Sequence, residues 1–399
     1  MHETHIILRR PSGEEPTRGT SFSVPTRGGP STSKSVPSGA TLAVDALDKK
    51  DMAELTRDPD VMAVAPSVPM RLIEPVGEDT AAEPAEEGIA WGVQAVGADT
   101  CPFTGAGIVV AVLDTGIDPA HSAFAGVELV QKDFTGEGNE DVSGHGTHCA
   151  GTLFGRATDG LRIGVAPGVK KALIGKVIGT RAGSSDQVAS AVWWAVENGA
   201  HVISLSLGID FPGLQKRLQD QGFPPQLATS RALEGYRANV RLFQTLADMV
   251  QARGAFLQTT LLIAAAGNES KRDVRADFEI AVGPPAVADG FISVAAVGPG
   301  EQGFVVAPFS NTGAQLSGPG VAITSARRGG GLVAKSGTSM ATPHVAGVCA
   351  LWAEKIKRSG LLSQLQLKTR LLGAATPASL QPGFDPMDVG LGLARAPQD

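Results

Sequence analysis

Four polar residues of this chain have the types needed for nucleophilic acyl transfer: Asp114, His145, Asn268 and Ser339, in that order along the sequence. Ser339 stands in Gly337-Thr338-Ser339-Met340-Ala341-Thr342-Pro343-His344, just ahead of residues with helical apolar spacing. Pro343 is expected in the first helical turn, where a missing backbone N–H costs nothing. A serine at a helix N-terminus meets free N–H groups and the positive end of the dipole, which favour an oxyanion formed beside it. His145 lies between Gly144 and Gly146, which let the backbone approach closely and leave the imidazole accessible. Asp114 ends an apolar run of strand length, and Asn268 follows another that closes on Gly267. In this reading His145 takes the Ser339 proton and Asp114 holds the imidazole tautomer. Asn268 and the Ser339 backbone N–H then bind the tetrahedral oxyanion.

Each residue also has an ordinary structural alternative. Ser339 suits a helix cap, Asp114 a strand-end turn, and Gly267-Asn268 a strand stop. His145 and His148, three apart, have the look of metal ligands, but no further ligand lies at supporting spacing, so no metal site is expected. It is the set of four with small-residue flanks that points to acyl transfer.

The elements that must position these residues follow from apolar periodicity. Runs at residues 107–113, 171–178, 201–207, 260–266 and 291–297 read as strands covered on both faces. Helical patterns at 185–198 and 230–253 alternate with them. The expected fold class is therefore α/β, a doubly wound and mostly parallel sheet with helices on both faces and the site at the carboxyl ends of the strands. Residues 1–75 read separately, as a small α+β unit with strands at 4–10, 41–47 and 61–65 and a helix at 49–57. It has too little core to stand alone. Residues 76–88, acidic and rich in Ala and Pro, read as a linker, and 89–399 as the main domain, with an insertion at about 209–230.

Composition narrows the class further. A net charge of −6 over 399 residues argues against nucleic acid or an anionic membrane as partner. No apolar run reaches the ~18 residues of a membrane helix. The start lacks a basic segment followed by an apolar core, so a cytoplasmic location is expected, with secretion open if a signal was removed. Three widely spaced cysteines, Cys101, Cys149 and Cys349, do not suggest a disulfide framework.

Asp114-Thr115-Gly116, His145-Gly146-Thr147-His148-Cys149-Ala150-Gly151 and Gly337-Thr338-Ser339-Met340-Ala341-Thr342-Pro343 closely resemble the signatures of the subtilisin-like serine peptidases, the subtilases. The resemblance runs from Gly88 to about Gly373. It implies a serine endopeptidase with Asp114, His145 and Ser339 as triad, Asn268 as oxyanion amide and His148 as a structural residue. It also implies substrate contacts: Ser206, Leu207 and Gly208 on one side of an extended peptide and Gly183 on the other, by strand addition. Ala264 to Gly267 would wall the pocket for the residue before the cleaved bond, Gly283 would floor it, Glu269 would lie near its rim, and Pro285 matches a cis proline. A thiol under the active site, as in the proteinase-K-like subgroup, matches Cys149.

No cofactor is expected. Calcium is possible, but Ala123 and the loop at 156–161 lack the family's usual ligands. The expected partners are a peptide or protein substrate and the chain's own N-terminal unit, which resembles a truncated inhibitor-like propeptide; processing is expected within residues 74–88. The alternatives are a processing protease for a single partner or leader peptide, a catalytically silent peptide-binding module, and an esterase or acyltransferase.

Overall fold

The run that ends in Asp114 folds as the strand Val109–Asp114, in the middle of the large sheet of the computed structural model. The structure describes residues 3–10, 40–77, 80–81, 88–254 and 258–399. From one edge the sheet runs Gly303–Val306, Phe291–Gly300, Leu261–Ala265, Val202–Leu205, Val109–Asp114, Lys171–Lys176 and Glu128–Asp133. Neighbours are parallel except at the Gly303–Val306 edge. A further strand, Leu316–Pro319, pairs parallel with Phe291–Gly300.

Strand periodicity divides the core in two. Val110 and Val112 join Ile174, Val202 and Ile263 beneath the helices His145–Phe154 and Thr338–Ser359. Ala111 and Leu113 join Leu173, Ile203 and Leu262 beneath Ser185–Glu197 and Pro225–Gly254. Residues 110–113 are all buried, because a parallel sheet covered on both faces offers no solvent side. The fold is the expected α/β arrangement.

At the N-terminus an antiparallel sheet is ordered Thr41–Leu47, Glu3–Arg9, Val61–Pro66, with the helix Lys49–Leu55 beside it. Its Ile6, Leu8, Ala63 and Ala65 share the core of the second face with Leu242, Leu246 and Val192. Polar ties add direction: Asn239 Nδ2 donates to the Pro66 carbonyl at 2.9 Å, and Ser185 N and Oγ bond the Val68 backbone. The Pro/Gly/Ser-rich stretch at 11–39 and most of the expected linker lie outside the described residues.

Two local expectations are corrected and a third is filled in. The insertion after residue 209 is largely helical, Phe211–Asp220, capped by Asp210, whose Oδ1 accepts from Gly213 N, with Pro212 in the first turn. The helix expected at 230–253 starts earlier, at Pro225, again through a proline at its head. Pro343 is not in a first turn but is the sixth residue of Thr338–Ser359. Ser339 is the second helical residue, and Gly337 is the N-cap.

Candidate active site

The carboxyl end of Val109–Asp114 brings Asp114 to the start of the helix His145–Phe154. His145 Nδ1 bonds Asp114 Oδ1 at 2.8 Å, and both side chains are buried. Thr115 N donates to the same Asp114 oxygen, which fixes the carboxylate. Burial alone would push the His145 pKa down, yet the adjacent Asp114 charge holds it well above its ordinary value. His145 Nε2 is buried and has no hydrogen-bond partner among the described residues.

An acid that the sequence reading missed positions His145. Asp141 Oδ1 accepts from the Thr115 hydroxyl and from the Ser143 and Gly144 backbone N–H groups; Oδ2 accepts from the Thr147 hydroxyl and N–H. Burial raises its pKa, but these donors, led by Thr147, hold it below the usual carboxylate value. The Thr115 hydroxyl in turn accepts from Gly146 N. Asp141 thus caps the helix from outside it. The available signal was an acid four residues before the histidine. Gly144 takes a left-handed φ of 82°, and a Cβ on Gly146 would lie 2.1 Å from the Gly116 carbonyl oxygen.

Ser339 arrives on the other helix of this face. Pro343 has no N–H for the Ser339 carbonyl four residues back, so that oxygen accepts instead from Ser206 Oγ at 3.3 Å and Cys149 Sγ at 3.4 Å. Cys149 also lies 3.7 Å from His145 Nδ1, so the thiol bridges the two helices beneath the site. Burial raises its pKa and keeps it a thiol. His148 bonds the Ile323 carbonyl through Nε2, and burial lowers its pKa to about 3, so it is a neutral core residue.

The Ser339 hydroxyl donates to neither histidine. Its partner is the carbonyl of Ile73, at 2.8 Å. Ile73 follows the strand Pro69–Leu72, which lies antiparallel between Gly183–Ser184 and Leu207–Ile209. Met70 pairs with Gly183 and Ile209, Arg71 with Gly208, and Leu72 with Leu207. Ile73 N donates to the Ser206 carbonyl at 3.3 Å. The chain's own N-terminal segment thus lies extended between the two edges that the sequence assigned to a substrate.

Asn268 stands at the head of the Ser339 helix, its Oδ1 accepting from Thr338 N and Oγ1. Its Nδ2 donates to the Glu74 carbonyl at 2.7 Å, one residue beyond the carbonyl that Ser339 touches. Val76 N donates to the Ser336 carbonyl, which holds the segment past the site. The turn before Asn268 needs its glycine, since Gly267 has φ 115° and a Cβ there would lie 2.2 Å from Asn311 Nδ2. Gly267 N donates to Thr338 Oγ1, and Ala264 is fully buried in the adjoining strand. A Cβ on Gly283 would meet nothing within 4 Å. The next peptide bond but one, Pro284–Pro285, is cis, and the Pro284 carbonyl accepts from Ile209 N.

The subtilase family model matches residues 105–391, which include all four residues that opened the sequence reading. The chain belongs to the subtilase family. As a subtilase it is a serine-type endopeptidase acting on peptides or proteins. Subtilisin E of Bacillus subtilis (strain 168) is 30% identical over 342 residues, covering 84% of this chain and 75% of the relative. M-protease of Shouchella clausii (strain KSM-K16) is 32% identical over 311 residues, 75% and 68% of the two chains. Alkaline elastase YaB of Bacillus sp. (strain YaB) is 32% identical over 338 residues, 83% and 73%. Among the described residues no helix of this subtilase is long and apolar enough to cross a membrane.

Proposed function

We propose that Ser339 is the nucleophile of this peptidase, His145 its general base and acid, Asp114 the group that orients His145, and Asn268 an oxyanion donor. We propose further that the first bond cleaved is the chain's own, Ile73–Glu74, and that residues 1–73 act until then as an intramolecular inhibitor. The observation that carries this reading is the 2.8 Å contact from Ser339 Oγ to the Ile73 carbonyl, on a strand paired to both edges of the cleft.

In the reaction, Ser339 Oγ forms a bond to the Ile73 carbonyl carbon as its proton passes to His145 Nε2, the ring nitrogen left unpaired. The Ile73 oxygen becomes the oxyanion, so Asn268 Nδ2 must exchange the Glu74 carbonyl for that of Ile73. In the held chain that amide bonds the Glu74 carbonyl instead. Collapse breaks the Ile73–Glu74 bond, with His145 returning the proton to the Glu74 nitrogen. Water then releases Ile73 from the acyl-enzyme by the same steps.

The Ile73 side chain is buried, with Cδ1 near Gly208, and Met70 and Leu72 are buried too, so the cleft accepts medium apolar residues at these positions. A fluorophosphonate probe tests the assignment: the processed chain is labelled at Ser339, and Ser339→Ala and His145→Ala chains are not. Equal labelling of Ser339→Ala would remove Ser339 as nucleophile.

A further inference from the structure

Pairing along the edges of the cleft holds any extended peptide, so selectivity must come from side chains. Arg71 is the third residue on the acyl side of Ile73–Glu74 and the only charged side chain of Pro69–Leu72. Its Nη2 lies 2.7 Å from Glu269 Oε1 and its Nη1 3.7 Å from Asp210 Oδ1. From this arrangement we infer that Asp210 and Glu269 form an acidic clamp that selects arginine or lysine at the third position before the cleaved bond. The inference rests on the proposed reading of residues 69–73 as a chain lying in the substrate's path.

Both acids are set in place by groups other than Arg71. Asp210 caps the helix Phe211–Asp220 by accepting from Gly213 N, and its own N–H donates to the Pro69 carbonyl. Glu269 Oε2 accepts from the Asn311 side chain at 2.7 Å. Asn311 is itself buried and accepts through Oδ1 from Glu269 N and Ser270 N. The clamp therefore keeps its shape when another peptide replaces the N-terminal segment. Asp210 comes from the insertion after the substrate-pairing edge, which gives that helix a task at the cleft. All three side chains are partly exposed, so the discrimination is modest: about fivefold for arginine over glutamine, and more against glutamate, as expected for screened ion pairs.

The chain produced full-length and allowed to process itself would be given fluorogenic peptides with the sequence of residues 69–76, carrying Arg, Lys, Gln or Glu at the third position before the cut. Wild type is expected to favour Arg and Lys, and Asp210→Asn/Glu269→Gln to lose the preference; Asn at 210 can still cap the helix. A ratio unchanged in the double variant, or flat in wild type, overturns the clamp. If no peptide is turned over at all, the peptidase reading of the site fails instead. Hydrogen exchange on the Ser339→Ala chain then decides the clamp: faster exchange at residues 70–73 with Arg71→Gln supports it, and unchanged exchange overturns it.

Discussion

At the residue scale the site depends on where protons can sit. As the proposed base His145 must be neutral, and Asp114 stabilises its charged form, so the base is lost at a higher pH than for an ordinary imidazole. The rate of self-cleavage should rise with pH through a midpoint above about 6.5, the ordinary value. Asp114→Asn should move that midpoint down and cut the rate by about 10⁴-fold, as for the equivalent change in other triads. Rates of fragment appearance across pH would measure both effects; an unshifted midpoint in Asp114→Asn contradicts the electrostatic account. Asn268→Leu should slow cleavage by about 10²–10³-fold, a magnitude carried over from subtilisin itself. The placing of Asp114 beside His145, and of Asn268 at the head of the Ser339 helix, was legible because strand-end and helix-start motifs surround these residues with small ones. Asp141 was not, because its importance lies in five donors that only the folded loop gathers. Removing it in Asp141→Ala should destabilise the fold by about 3 kcal/mol or more, since several buried donors lose their acceptor together. Denaturant melts of this variant made in the Ser339→Ala chain would check the value.

At the element scale the site is made by two helices on one sheet face, each anchored by a residue that breaks a helical rule. Gly146 lets the His145 helix touch the strand-end turn at Gly116, so Gly146→Ala should cost about 1–3 kcal/mol and displace His145. Thermal melts with parallel rates of self-cleavage would check it; an unchanged melt with unchanged rate contradicts the close packing. Pro343 frees the Ser339 carbonyl for Ser206 and Cys149. Its motif was visible in the sequence, but its depth in the helix was not, because the helix begins at Thr338 rather than after Ser339. Five strands of the large sheet were legible as continuous apolar runs, whereas Glu128–Asp133, Gly303–Val306 and Leu316–Pro319 were not read; the N-terminal strands fell within a residue or two of their observed ends. The helix Phe211–Asp220 was not legible, because Pro212 and Gly213 at its head read as loop residues even though Phe211, Leu214 and Leu218 follow at helical spacing.

For the molecule as a whole, three buried histidines set a limit in acid. Burial lowers the pKa of His148 to about 3, and those of His201 and His344 to about 4. His201 Nδ1 accepts from Val109 N, a bond that protonation would break. Above about 6.5 both the folded and the unfolded chain hold these rings neutral; below it only the unfolded chain takes up protons. Stability should fall by roughly 1.4 kcal/mol per histidine per pH unit from there towards their folded values. Calorimetry of the Ser339→Ala chain between about pH 7 and about pH 5 should show a falling melting temperature; a flat profile contradicts it. How the N-terminal unit sits was only partly legible: its strands and its need for support could be read, but the path of residues 69–76 through the cleft is a tertiary fact, fixed by Gly183, Gly208, Ser206 and Ser336 on distant strands and loops. That path is the centre of the account, and mass spectrometry of the purified chain beside Ser339→Ala tests it directly. The account predicts a fragment ending at Ile73 and a new N-terminus at Glu74 in wild type, with Ser339→Ala intact. The same cut in Ser339→Ala, or a wild-type chain that turns over peptides while Ile73–Glu74 stays whole, would contradict it.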